Sequence, residues 1–149
     1  MQKTLSVAAI KNGTVIDHIP QNQALKIMHF LNLLKSAPKV TLGLNLVSKT
    51  MGFKDLIKIE NQTISLKEAQ QIAIFAPSAT INIILNYEVA DKFKVSFPET
   101  AQNIFHCLNP KCITNHEKVQ TFFHLKRSKK EVLMSCKYCQ KTFSRDSYD

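Results

Sequence analysis

The sequence predicts an α+β chain built as two units: an antiparallel sheet with two helices on one face, followed by a small all-β unit. Strand-like and helix-like apolar patterns alternate up to residue 98. After that point no convincing helical pattern remains, and all four cysteines of the chain lie in this last third. We therefore predict one domain over residues 1–98 and a second over residues 99–149.

Charge and composition bound the classes of function. The chain has 149 residues, is 44% hydrophobic and carries a formal charge of +9, which favours a polyanionic partner such as nucleic acid, a nucleotide, anionic lipid or an acidic protein. The excess of positive charge is divided almost evenly between the two predicted domains, so no basic tail explains it. The apolar run at the start stops at Lys11, too short for a signal peptide or a membrane span. We expect a cytoplasmic protein that does not enter a membrane.

The first elements are a hairpin and a helix. "TLSVAAI" and "TVIDHI" flank "KNG", which is typical of a hairpin turn. Pro20 then precedes "QNQALKIMHFLNLL", where apolar residues recur at helical spacing. The residues at this spacing are Ala24, Ile27, Met28, Leu31 and Leu34.

The next elements complete the sheet. "VTLGLNLV" predicts a strand whose leucines point toward one face, and "KDLIKIE" predicts a second strand. Ser65 and Glu68 form a capping box ahead of the helix "LKEAQQIAIFA", and "TINIILNYEV" is the last strand. The order strand, helix, strand, strand, helix, strand is typical of a ferredoxin-like antiparallel sheet.

The second unit needs a cross-link, such as a metal ion or disulfides, to be stable. "TFFHL" and "EVLMSC" predict two strands joined by the basic turn "KRSKK". About fifty residues with so little apolar material bury too small a core to fold alone. The cysteines, spaced as C-x4-C and C-x2-C, are the candidates for this cross-link.

Cys107, Cys112, Cys136 and Cys139 predict a structural metal site. Four thiolates around Zn²⁺ form a closed tetrahedral shell with no open position for substrate, so one zinc ion would supply folding energy. Two disulfides, a redox CxxC or an iron centre are the alternatives. The neighbouring histidines are expected to have surface or packing roles, because the cysteines complete the shell: His106, His116 and His124.

No catalytic motif stands out. G-x-S-x-G, a P-loop and H-E-x-x-H are all missing from the sequence. Asp17 and His18 are adjacent on a predicted strand, so we expect them on opposite faces. Lys54 and Lys58 share a strand face, which indicates either a solvated sheet edge or, if Lys58 lies near Lys92, a phosphate pocket.

Several longer motifs carry a resemblance. "NGTVIDHIP", "GLNLVSKTMGFKDLIKIEN" and "APSATINIILNYEVADK", followed by the cysteine pattern, resemble the regulatory chain of aspartate carbamoyltransferase from about residue 4 to the end. The resemblance implies a nucleotide-binding domain, a zinc domain and no enzymatic activity of its own. It further implies a dimer formed through the first domain, and contact with the catalytic chain through the second. CTP would inhibit pyrimidine biosynthesis at its start, ATP would activate, and UTP would reinforce CTP.

The same resemblance implies a nucleotide site. Its base wall would comprise Val7, Ala9, Ile10, Ile84 and Tyr87, the ribose would meet Asp17 and Lys58, and the phosphates would face His18, Asn82, Val89 and Lys92. The chain departs from the family at Ala8, where the best-known members carry an acidic residue, and this leaves effector selectivity open.

Two other functions compete with this prediction. The charge and "LKRSKK" are compatible with a zinc-ribbon nucleic-acid-binding protein, although the basic residues are not interleaved with aromatic residues as a base-stacking surface requires. A regulatory chain that assembles but no longer responds to nucleotides is the other alternative.

Overall fold

The structure is a computed structural model, and it describes residues 9–129 and 131–148. The chain divides into two compact units, residues 1–96 and residues 97–149. In the described ranges, no helix has both the length and the apolar character needed to cross a membrane.

The first unit is an antiparallel five-stranded sheet with two helices, which confirms the predicted α+β class. The strand order is β2-β3-β1-β4-β5, the ferredoxin-like order with one added edge strand. Its elements are β1 Gly13–Pro20, α1 Gln23–Phe30, β2 Val40–Ser48, β3 Gly52–Glu60, α2 Leu66–Phe75, β4 Thr80–Leu85 and β5 Glu88–Lys94.

The helix-covered face of the sheet is lined by isoleucines. Ile16 on β1 lies directly opposite Ile57 on β3 and Ile81 on β4, and all three are fully buried. Ile27 on α1 and Ile72 on α2 are buried to the same extent. Because side chains alternate along a strand, the residues beside this row point to the other face, which the helices do not cover.

The last strand of the first unit is a hairpin rather than the single strand that we predicted. Asn86 (φ 51°) and Tyr87 (φ 66°) form a two-residue turn between β4 and β5. Two successive residues with positive φ are typical of a type I′ hairpin turn, and asparagine tolerates this conformation. Of the predicted N-terminal hairpin, residues 4–8 lie outside the described residues, and Ala9 and Ile10 belong to no strand.

Helix α1 ends at Phe30, four residues before the predicted end. The amide of Gln62 fixes the segment that follows: it donates to the carbonyl of Leu33 and accepts from the N–H of Lys35 at 2.9 Å. As a result Leu33 is buried, whereas the helical spacing had predicted that Leu34 would be on the apolar face. The capping box of α2 is confirmed, with Ser65 and Glu68 exchanging hydrogen bonds of 3.0 and 3.1 Å.

Strand β2 does not keep the predicted alternation. A bulge lies between Gly43 and Leu46, and Asn45 adopts φ 58° within it. Before the bulge Leu42 lies opposite Ile57 on the helix side, whereas after it Leu46 lies opposite Lys54. The extra residue moves the following side chains to the other face.

The second unit is a four-stranded sheet, β6-β7-β8-β9, with two short 3-10 turns and no α-helix in its described part. The predicted strands β7 and β8 are confirmed, but Lys126 and Arg127 of the predicted basic turn belong to β7, and Lys130 lies outside the described residues. Strands β6 and β9 were missed because each has only three residues. The elements are β6 Thr100–Gln102, β7 Phe122–Arg127, β8 Val132–Cys136 and β9 Thr142–Ser144, with turns at Ile113–Asn115 and Arg145–Ser147.

Candidate functional site

The four cysteines of the second unit converge on one point. The Sγ atoms of Cys107 and Cys139 lie 3.6 Å apart, those of Cys112 and Cys136 lie 3.8 Å apart, and all four lie within 4.8 Å of one another. With Zn–S bonds of about 2.3 Å, a regular tetrahedron has sulfur atoms separated by about 3.8 Å. The cluster therefore has the size of a Zn²⁺ site with four thiolates.

Two loops turn the thiols inward. The first lies between β6 and β7, and the second follows β8, where Gln140 (φ 62°) donates its N–H to the carbonyl of Cys136 at 2.8 Å. The backbone N–H of Asn109 donates a hydrogen bond to the sulfur of Cys107, and the N–H of Lys141 donates one to the sulfur of Cys139. In each loop, the donor lies two residues after the cysteine. These hydrogen bonds orient the sulfur atoms and stabilise thiolates.

The pKa values of the thiols are split. Burial raises the pKa of Cys107 to about 12. Burial also acts on Cys139, but hydrogen bonds from the N–H of Lys141 and the side chain of Asn109 outweigh it and lower that pKa to about 7. Four negative charges at this distance are stable only beside a cation, so the donor set suits a divalent metal that replaces the thiol protons.

Two alternatives for the cysteines do not fit the geometry. All four are free, and sulfur separations of 3.6 and 3.8 Å are far longer than the roughly 2.04 Å of a disulfide. Cys136 ends strand β8 and Cys139 lies in the turn after it, whereas a redox CxxC opens a helix. Of the nearby histidines, His116 places its Nε2 2.7 Å from the carbonyl of Pro110, a packing role.

A second cluster lies on the open face of the first sheet. Lys58 on β3, Val15 on β1, Asn82 on β4 and Lys92 on β5 lie directly opposite one another, so their side chains leave the same face. Three strand spacings separate the two lysines, about 14 Å between their backbones. Lys58 and Lys92 are thus the two ends of one row rather than immediate neighbours.

Asp17 and His18 join this face, and the expectation that they point apart is wrong. A bulge lies between Ile16 and Ile19, and His18 adopts φ 58°. The His18 ring consequently places Nδ1 3.1 Å from Oγ1 of Thr80, the residue directly opposite Asp17. The left-handed conformation of His18 thus places both side chains on the open face of the sheet, the same face as the row from Lys58 to Lys92.

The cluster contains a cation that was not among the predicted site residues. The Nζ atom of Lys54 lies 2.9 Å from Oδ1 of Asp17. The spacing of Lys54 and Lys58 along the strand was the signal that could have found it. Lys58 itself is only 8% exposed, and burial lowers its pKa, an effect that the carboxylate of Asp17 partly opposes. A lysine with little exposed surface on the open face has lost much of its hydration and is suited to bind an incoming anion.

The remaining predicted residues lie around the β4–β5 turn. Ile84 is buried, whereas Tyr87 and Val89 expose 66% and 57% of their surface. The N–H of Tyr87 donates to the carbonyl of Lys11 at 2.9 Å, which fastens the turn beside Ile10. Ala9 is exposed, and the predictions for Val7 and Ala8 lie outside the described residues.

Comparison with known proteins agrees with this division. The family model described as the aspartate carbamoyltransferase regulatory chain, allosteric domain, matches residues 5–96, and the model described as its metal binding domain matches residues 99–149. The chain belongs to this family. It is 47% identical to the aspartate carbamoyltransferase regulatory chain of Chromobacterium violaceum, over 98% of this chain and 96% of that protein. It is 49% identical to that of Psychromonas ingrahamii, over 96% and 94%.

Membership of the regulatory chain family assigns the two clusters to different domains. The cysteines lie in the metal binding domain, and their geometry is that of a site for one structural zinc ion. The open-face lysines lie in the allosteric domain. The protein is a regulatory chain rather than a catalytic one.

Proposed function

We propose that this chain binds CTP as an inhibitor and ATP as an activator on the open face of its first sheet. The response then passes to the catalytic chains of aspartate carbamoyltransferase at the start of pyrimidine biosynthesis. The observation that carries the proposal is the row of Lys58, Asn82 and Lys92, with Asp17 beside it. Both nucleotides shift the enzyme only if they bind its low-activity and high-activity assemblies unequally.

The row supplies groups of the right chemistry for a nucleoside triphosphate. Exposed Lys92 suits the outer phosphates, and buried Lys58 has lost much of its hydration and is a strong partner for an anion or a ribose oxygen. Asp17 accepts hydrogen bonds from ribose hydroxyls. The base packs on Ile84 and Tyr87, and backbone groups near Ile10 read the amine that adenine and cytosine share. UTP lacks that amine and acts only by reinforcing CTP.

The edge strand β2 is a suitable surface for a dimer formed through the first unit. In the sheet order β2 is an outer strand, and its hairpin with β3 exposes 84% of Val47 and 51% of Phe53. An outer strand with apolar side chains is usually covered by another chain. We propose that two copies pair along it, and that three such dimers join two catalytic trimers.

The catalytic chain meets the second unit. Ile113 follows Cys112 and Tyr138 lies between Cys136 and Cys139, and both are exposed on the zinc loops. The zinc ion thus holds the contact surface in shape. A set of free cysteines is also consistent with a cytoplasmic location.

The test is carbamoyltransferase velocity against aspartate concentration, measured with the same organism's catalytic chain, with and without this zinc-loaded chain, and then with CTP or ATP. We expect a stable complex whose curve moves with each nucleotide. Lys58→Ala should abolish the shift but keep the complex. Lys67→Ala, on an exposed position of α2, is the matched control and should behave as the wild type.

Two results would contradict the proposal. A stable complex whose curve ignores both nucleotides would indicate a regulatory chain that has lost its response. If no complex forms, and single-stranded DNA rather than millimolar CTP protects the chain against heat, the chain would be a nucleic-acid-binding protein.

A further inference from the structure

Tyr148 packs against the start of the first zinc loop. After β9 the 3-10 turn Arg145–Ser147 reverses the chain, and Tyr148 follows it with only 2% of its surface exposed. A buried tyrosine usually has a hydrogen-bond partner for its hydroxyl, so the contacts of Tyr148 indicate what it contributes.

The ring and the hydroxyl of Tyr148 make separate contacts. The ring centroid lies 5.1 Å from that of Phe105 and 5.5 Å from that of His106. The hydroxyl donates a hydrogen bond of 2.6 Å to the carbonyl of His106. Phenylalanine would make the same ring contacts, so the contribution specific to tyrosine is the hydrogen bond of its hydroxyl.

The carbonyl of His106 belongs to the peptide unit that leads into Cys107. The hydrogen bond to this carbonyl fixes the orientation of the peptide plane that precedes Cys107, the first zinc ligand. On the other side of the ligand, the side chain of Asn115 donates to the carbonyl of Cys107 at 2.9 Å and to that of Asn109 at 2.8 Å. Cys107 is thus held at both of its peptide units, while its sulfur lies within the metal cluster.

We propose that Tyr148 is a positioning residue for the zinc centre: its hydroxyl closes the first loop over the metal and slows the release of zinc. Contacts outside the ligand shell orient the ligands, and their removal typically weakens metal binding about 10- to 100-fold. This inference depends on the cysteine cluster alone, not on nucleotide binding.

The experiment measures zinc transfer from the intact, zinc-loaded chain to a chromogenic chelator at 25 °C and constant pH. Tyr148→Phe keeps the ring and removes the hydroxyl, and we expect release about tenfold faster than in the wild type. Tyr138→Phe is the matched control, because this tyrosine lies between two ligands but is exposed, and its release should be unchanged.

A second measurement separates positioning from stability. The cobalt-loaded form reports ligand geometry through its absorption spectrum, and Tyr148→Phe should alter the thiolate bands while circular dichroism shows a folded chain. Unchanged release and spectrum would overturn the proposal. Equal acceleration by Tyr138→Phe would overturn it too, as would zinc loss that occurs only together with unfolding.

Discussion

Replacing Lys58 by methionine should separate stability from nucleotide binding. Methionine has nearly the same length but no charge, and the lysine it replaces is 8% exposed. Its carboxylate neighbour does not lose all its partners, because Nζ of Lys54 remains 2.9 Å from Asp17. Exchanging a buried charge for an apolar side chain of similar volume is often neutral or stabilising. We expect the free energy of unfolding to stay level or rise by about 1 kcal/mol.

Nucleotide affinity should change in the opposite direction. A hydrogen bond to a charged group contributes about 1.5–3 kcal/mol, so its loss corresponds to roughly 10- to 150-fold weaker binding. Binding is measured by calorimetric titration with CTP and ATP, and stability by urea denaturation. The row of charges would thus be maintained for function at the expense of stability.

The matched variant is Lys54→Met, which removes the ion pair between Lys54 and Asp17 and leaves that carboxylate half-buried beside Lys58. We expect this variant to lose stability, unlike Lys58→Met. If Lys58→Met binds CTP as tightly as the wild type, Lys58 is not part of the nucleotide site and the reasoning fails.

Three further predictions concern the backbone, the protonation of the site and the metal. Gly13→Ala should cost at least about 3 kcal/mol of stability in urea denaturation, because the new Cβ would lie 2.1 Å from the carbonyl oxygen of Ile59. Gly52→Ala, also at positive φ but with open space around it, should cost only about 1 kcal/mol. Affinity for CTP should fall as pH rises through the lowered pKa of Lys58, since only its protonated form carries the charge that attracts the nucleotide, and Lys58→Arg should remove this fall in titrations across the same pH range. Chelation of zinc should unfold the second unit and release the catalytic chains in gel filtration, while CTP still protects the first unit against heat.

The sequence predicted the features that depend on side-chain patterns. Apolar periodicity identified both helices, the capping box placed the start of α2, and cysteine spacing identified the metal cluster. Features that depend on backbone conformation were missed. The bulge that turns His18 toward Asp17 and the turn at Asn86 both require positive φ at residues that are not glycine. Hydrogen bonds distant in sequence were missed as well, such as those from Gln62 to Leu33 and Lys35 that fix the segment after α1.

Only the resemblance to a family predicted which residues together would form a nucleotide site. Charge and strand alternation brought Lys54 and Lys58 to one face, but did not distinguish a solvated edge from a binding site. The pairing of four strands, which places Lys58 and Lys92 in one row, depends on strand order and register. Neither quantity follows from local sequence.

The closed shell of four cysteines makes regulation depend on metal supply. Strands β6 and β9 have three residues each, too few to hold the second unit without the ion. The first unit has its own isoleucine core and needs no such help. If the proposed function holds, a cell short of zinc would still make a chain able to bind nucleotides, but not one able to pass the signal to the catalytic chains. Feedback on the pathway would then fade while the catalytic chains kept their activity.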